Sequence, residues 1–400
     1  MINREPSTLN LKRLSKETIS NTTSHVTDNP NFLSSNLIPL KSLNQRYQIV
    51  GNLGSGSFGS VTLAKVRKGC FNEILNDMKL HPNTLLQPLE NIKRHNYDMV
   101  AIKTMTRRLQ HLEDYTKVKE IKFILSVKSH PSLVQIYDIF IDRGTLKLHI
   151  VMETMDQNLY QLMKYRKSTL FSSNTLKSIL SQILAGIRHI HKHLYYHRDV
   201  KPENILIMQA INFYGSKENI PISKKKEPYI IKLADYGLAR HAANLKPYTA
   251  YVSTRWYRSP EILLRQKFYS YPVDIWAFGC VVVEAATFCP LFPGTNELDQ
   301  TWRVLEVLGC PEKSSSCNSN SNSPPLGGYW DDAQSLSSLL GFHLPQMKGA
   351  NVEELIPRFD LHQKELENLL NVIKACLVWD PLKRINVYDL CKMSYFENSV

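Results

Sequence analysis

The eight residues His197-Arg-Asp-Val-Lys-Pro-Glu-Asn204 constrain this chain more than any other stretch. They set an acid, a cation and an amide oxygen at fixed short spacing in one loop. A phosphoryl group in transit spreads negative charge over its oxygens. A protein that moves one therefore needs hard ligands for Mg²⁺, a cation, and a group to orient the attacking hydroxyl. Asp199 suits the hydroxyl, Lys201 the γ-phosphate and Asn204 the metal. Downstream, Asp235 in Asp235-Tyr236-Gly237 adds a carboxylate of the kind Mg²⁺ prefers. The plain alternative is a polar surface turn with chance charges, and the motifs that accompany the loop in order argue against it.

Upstream, a strand from Tyr47 turns at Leu53-Gly54-Ser55-Gly56-Ser57-Phe58-Gly59-Ser60-Val61. Glycines let backbone approach phosphates and leave amides to point at them. A dinucleotide-binding glycine loop opens a helix. Here Ser60 to Val66 runs on in β-branched residues, which reads as a second strand of a hairpin. Val100-Ala101-Ile102-Lys103 then offers Lys103 to the α- and β-phosphates. A helix is expected from about Tyr115 to Lys128, with Glu120 placed to pair with Lys103. Strands Val134–Phe140 and Lys147–Met152 lead to Glu153-Thr-Met155, a linker whose backbone suits an adenine edge, with Met152 at the back of the pocket and Ile205 and Leu206 as its floor. Thr175 to His193 carries apolar residues at helical spacing and delivers the chain into the His197 loop.

Between these pieces lie segments with no such pattern. Residues 1 to about 45 are rich in Ser, Thr and Asn and read as a mobile extension. Insertions are expected at about 68–97, 209–228 and 313–330, and surface loops of this kind add little closure entropy. Residues 235–261 hold Thr249-Ala250-Tyr251 midway. A phosphate on Thr249 or Tyr251 would add about −1.5 to −2 charge, to be met by Lys119, Arg198, Arg240, Arg255 or Arg258. Asp274 to Glu284 is apolar nearly all round, as a buried helix should be, and Arg384 is the expected buried partner of Glu261.

Composition narrows the classes further. The chain has 400 residues with 43% hydrophobic content, enough for two lobes. No apolar run reaches the ~18 residues of a membrane span, and the N-terminus lacks a signal-peptide core. Seven cysteines without a CxxC pair argue against a disulfide framework or zinc site and fit a reduced intracellular setting, nucleus or cytoplasm. The formal charge of +13 admits a nucleic-acid binder. No zinc-finger spacing or RNA-recognition signature supports that class, so direct nucleic-acid binding is not expected.

Together these motifs resemble the eukaryotic protein kinases over residues 47–397. Thr254-Arg-Trp-Tyr-Arg-Ser-Pro-Glu261 looks like the group of cyclin-dependent and mitogen-activated kinases. Pro247 to Leu264, Leu291-Phe-Pro-Gly294 and Gly327-Gly-Tyr-Trp-Asp-Asp332 look like the fungal inducer-of-meiosis kinases, relatives of the male-germ-cell-associated kinases. The resemblance implies an α+β bilobal fold, with a small antiparallel sheet lobe carrying one helix (47–153) and a larger, mainly helical lobe (154–397). It implies a monomeric Ser/Thr kinase using ATP and Mg²⁺ on protein substrates, off the membrane, with a role in meiosis and sporulation. Activation would follow phosphorylation of Thr249 and Tyr251, Tyr251 by the kinase itself, with an upstream kinase as a further partner. Tyr236 in place of the usual Phe and Ser259 in place of the usual Ala are departures, and a catalytically silent scaffold of the same fold is the alternative they raise.

Overall fold

The computed structural model describes residues 38–56, 59–88, 98–244, 254–312, 324–356, 361–397 and 399. Its first layer is a six-stranded sheet, built from β1 (Leu40–Lys41), β2 (Tyr47–Gly56), β3 (Gly59–Val66), β4 (Met99–Met105), β5 (Ile136–Asp142) and β6 (Leu148–Glu153), in the order β1-β5-β6-β4-β3-β2. All pairings are antiparallel except β1 with β5. The β2–β3 ladder runs through Ser55↔Ser60 and Gly56↔Gly59 toward the hairpin tip, and Ser57 and Phe58 lie outside the described residues. At Gly59 the close strand pairing requires glycine. Its φ is +155°, and a Cβ there would stand 2.1 Å from the Thr104 carbonyl oxygen.

Residues 1–37 of the expected extension lie outside the described residues, and residues 38–45 belong to the fold. Within the expected extension, Leu40 and Lys41 add a parallel strand beside Ile141 and Asp142, and α1 (Leu43–Arg46) follows directly. Lys41 Nζ binds Asp138 (2.8 Å) and Asp77 (3.0 Å), and Ile38 is buried. The insertion after β3 forms α2 (Cys70–Lys79), whose Ile74 and Met78 share a small core with Tyr137 and Phe140 of β5. The helix expected over 115–128 is divided. A 3₁₀ turn (Leu112–Lys117) is separated by the extended Val118 from α3 (Lys119–Ser126). Glu120 thereby falls in the first turn of α3.

The second lobe is mainly helical. After β7 (Gln157–Asn158), α4 (Leu159–Arg166) starts with a capping box, in which Asn158 and Gln161 bond each other's backbone amides. α5 (Ser173–Lys192) buries Leu176, Ile179, Leu180, Ile183, Leu184, Ile187 and Ile190, the periodic set read from sequence. β8 (Tyr195–Tyr196) and β9 (Ile205–Gln209) flank the His197 loop, the 209–228 insertion opens with α6 (Ala210–Tyr214), and β10 (Tyr229–Leu233) and β11 (Arg240–His241) flank Asp235. α7 (Pro260–Leu263) precedes α8 (Pro272–Thr287), which is buried along almost its whole length, as its apolar sequence demands. α9 (Glu297–Leu308), α10 (Ala333–Leu339), α11 (Gln363–Cys376) and α12 (Val387–Cys391) complete the lobe. The expected Glu261–Arg384 pair forms a double bridge at 2.8 and 3.0 Å with both side chains fully buried. Of the 313–330 insertion, residues 324–330 pack back, with the Trp379 amide donating to the Gly327 carbonyl. The chain is thus an α+β fold, a sheet lobe followed by a helical one.

Candidate active site

The site lies where β4, α3, the His197 loop and the turn after β10 converge. Lys103 projects from β4. Its Nζ donates to both oxygens of Glu120 (2.8 and 2.9 Å) and to Asp235 Oδ1 (2.8 Å). Burial alone would depress the Lys103 ammonium, but the two carboxylates outweigh it and hold its pKa above the ordinary value. Burial likewise works to raise Asp235, and the Lys103 charge overcomes it, keeping that carboxyl below the usual range. Lys103 is therefore a fixed cation and Asp235 a fixed anion at neutral pH. Asp235 adopts a left-handed backbone (φ 61°), which turns its side chain back toward Lys103.

Asp199 sits in a second cluster. Lys201 Nζ lies 2.9 Å from its Oδ2, and Asn204 Nδ2 donates to both its carbonyl and its Oδ2, each at 2.8 Å. Since the Asn204 nitrogen serves Asp199, its amide oxygen is the atom left as an acceptor. The clusters are tied through Ala234, whose amide donates to the Asn204 carbonyl (2.9 Å) and whose carbonyl accepts from His197 Nε2 (3.0 Å). His197 Nδ1 then accepts from the Asp199 amide (3.2 Å), so one tautomer satisfies both ring nitrogens.

What holds this loop is Asp274, the acid at the start of the apolar helix α8. It accepts from the His197 amide (2.7 Å), the Arg198 amide (2.8 Å) and His191 Nε2 (2.9 Å). Burial pushes its carboxyl up, and the bonds from His191 and the loop outweigh it, so it stays below the usual range. Arg198 takes a left-handed backbone (φ 72°), a conformation that costs about 1–3 kcal/mol and persists only where its surroundings impose it; the Asp274 bonds do so. Sequence reasoning placed Asp274 in the helix without this role. An acid at the start of an otherwise apolar stretch was the available signal.

Tyr236 explains itself by its contacts. The ring stacks on Phe123 of α3 (centroids 4.5 Å apart) and meets His197 edge-on. Its hydroxyl donates to the Leu233 carbonyl at 2.8 Å, so the buried phenol is satisfied.

Elsewhere the expectations divide. Ala101 pairs with Met152 in the β4–β6 ladder, and Leu206 pairs with Asn158 in the second sheet. Leu53 is exposed on β2. The Gly54 amide, expected free, donates to Asn52 Oδ1 (3.1 Å). Glu153 turns its carboxylate into the protein, where it accepts from the Gln135 amide and from buried Lys232. Met155 packs instead with Met208, Phe213 and Ile230. Thr249 and Tyr251 lie outside the described residues. Of the cations expected around them, Lys119 is held below its ordinary pKa by burial and by the nearby charges of Arg198 and Arg240, so these three are gathered. Arg255 donates to the Thr295 carbonyl, and Arg258 lies 3.8 Å from Glu297.

The protein kinase domain model matches residues 89–396. The chain belongs to the protein kinase family. The match begins within residues 68–97, expected as an insertion, and does not reach the glycine hairpin. The meiosis induction protein kinase of Saccharomyces cerevisiae is 51% identical over 368 residues, covering 91% of this chain and 56% of the relative. The sporulation protein kinase of Schizosaccharomyces pombe is 37% identical, covering 88% and 54%, and the serine/threonine-protein kinase MAK of Mus musculus is 34% identical, covering 88% and 46%. The chain thus spans about half the length of these curated relatives. Among the described residues of the kinase domain, no helix is long and apolar enough to cross a membrane, and no group of three or more His, Cys, Asp or Glu is placed to hold a metal. Mg²⁺ at a nucleotide site makes do with one or two protein ligands plus phosphates. The Asp235 carboxylate and the Asn204 amide oxygen, both hard donors, fit that demand.

Proposed function

We propose that the chain transfers the γ-phosphate of ATP to Ser and Thr hydroxyls of proteins and that it acts in meiosis and sporulation. The observation that carries this reading is the joining of two clusters, Lys103–Glu120–Asp235 and Asp199–Lys201–Asn204, through the single residue Ala234. Lys103, held cationic by two carboxylates, would orient the α- and β-phosphates. Asp235 and Asn204 would hold Mg²⁺, which when bound neutralises charge on the phosphates. Asp199 would accept or orient the substrate hydroxyl's proton, and Lys201, already at its carboxylate, would meet the γ-phosphate oxygens. The names of the yeast relatives support the cellular role, and the completeness of both clusters argues for an enzyme over a silent scaffold.

Regulation follows from the charges. Lys119, Arg198 and Arg240 form a concentration of positive charge, and a phosphate on Thr249 or Tyr251 that met it would bind α3, the His197 loop and β11 together. The test is phosphosite mapping of the bacterially expressed chain beside Asp199→Asn. Phosphate on Thr249 or Tyr251 is expected in the wild type alone, with turnover in the variant lower by about 10²–10⁴-fold. Equal turnover in the two would remove Asp199 from the mechanism.

A further inference from the structure

Residues 84–87 belong to the insertion that no motif explains, yet the first three are among the most buried in the sheet lobe. Thr84, Leu85 and Leu86 are 6%, 0% and 5% exposed, and both leucines belong to the continuous core that includes Ile121, Phe123 and Ile124 of α3. The Leu85 amide donates to the Ile124 carbonyl (2.9 Å), and the Ser129 amide, just beyond α3, donates to the Thr84 carbonyl (3.1 Å). From β5's side, Gln135 Nε2 donates to the carbonyls of Leu85 and Gln87. Thr84 closes the turn on itself, its Oγ1 donating to His81 and accepting from the Leu86 amide.

α3 needs such support. It has eight residues and no side-chain cap at Val118, whereas an isolated helix is marginal below about 12–15 residues. Its last carbonyls have no partner within the helix, and Leu85 supplies one. The pose of α3 is therefore set by what packs on it, and that pose decides whether Glu120 reaches Lys103. We propose that the 84–87 turn is a built-in clamp that fixes α3, with Leu85 and Gln135 as positioning residues for the Lys103–Glu120 pair. The chain thereby sets this helix without a partner protein. The proposal rests on the kinase reading.

The experiment is hydrogen exchange on the nucleotide-free chain, combined with steady-state kinetics, for Leu85→Ala/Leu86→Ala. Amides of 119–127 should exchange about tenfold faster or more while those of α5 hold their rate. kcat should fall by about tenfold with the KM for a peptide substrate unchanged, and Leu85→Met should retain both wild-type behaviours. If the double variant does not fold, Gln135→Met, which releases both turn carbonyls and that of Ile136 at nearly constant volume, is read in its place. In the folded variant, unchanged exchange over 119–127, or an equal rise in α5, overturns the clamp. A wild type that transfers no phosphate would instead defeat the kinase reading, and the exchange rates alone would then decide the clamp.

Discussion

Single residues in this chain differ in whether they serve the fold or the ligand, and the glycine hairpin separates the two. A Cβ at Gly59 would strike the Thr104 carbonyl, while one at Gly54 meets nothing within 4 Å. Gly59→Ala should therefore cost about 2 kcal/mol or more of stability. Gly54→Ala should leave melting unchanged and raise the KM for ATP; a thermal melt beside an ATP titration of each variant checks both. Glu284 makes a different case. It is buried in α8, accepts from the Tyr257 hydroxyl at 2.8 Å, and burial pushes its carboxyl up to about 7 from an ordinary 4.5. Below 4.5 folded and unfolded chains both hold the proton. As pH rises from there to about 7 the unfolded chain loses it first, and the folded state is progressively disfavoured. Glu284→Gln should thus melt higher than wild type at pH 8, with the advantage shrinking toward pH 5. Parallel curves would assign Glu284 no such burden.

At the scale of elements, the seam between the α3–β5 connection and α5 is made of imidazoles. His130 stacks on His189 with centroids 4.5 Å apart, and His193 meets His189 at a tilt of 46° with centroids 4.4 Å apart. Burial pushes His130 down to about 3 and His189 to about 4, aided by the surrounding cations Lys128, Arg188, Lys192 and Lys232. Both rings are neutral in the fold, whereas the unfolded chain takes up protons near 6.5. Their contribution is therefore intact above 6.5 and is lost as pH falls toward 4. His189→Asn should flatten the loss of melting temperature between pH 6.5 and 4, measured against wild type. What sequence reading reached and missed divides along the same line. Lys103, Asp199, Asn204 and Asp235 were legible because each sits in a contiguous motif whose spacing carries its chemistry. Asp274, Gln135 and the Glu153–Lys232 pair were not, since each acts on residues 18 to 83 positions away and no local pattern marks such a partnership. Helix α5 could be read from its periodicity. The break at Val118 could not, because it depends on how the chain must enter α3 to aim Glu120.

For the whole molecule, the order of motifs was enough to indicate a sheet lobe followed by a helical one, but not the strand ahead of Tyr47. A two-residue strand has no periodicity to detect, and Leu40 and Lys41 pair about a hundred residues downstream. That small strand covers what would otherwise be a sheet edge. The outer border of β5 is occupied, with the Ile141 amide bonded to the Pro39 carbonyl and the Arg143 amide to the Lys41 carbonyl. Trimmed to Tyr47, the chain would present those donors on an open apolar border, the template on which sheets recruit copies of themselves. Light scattering at matched concentration should rise for the trimmed chain and stay flat for one beginning at residue 38. On this expectation Leu40 and Lys41 serve as a guard against self-association, a liability that a version shortened past them would carry whether or not its catalysis survives.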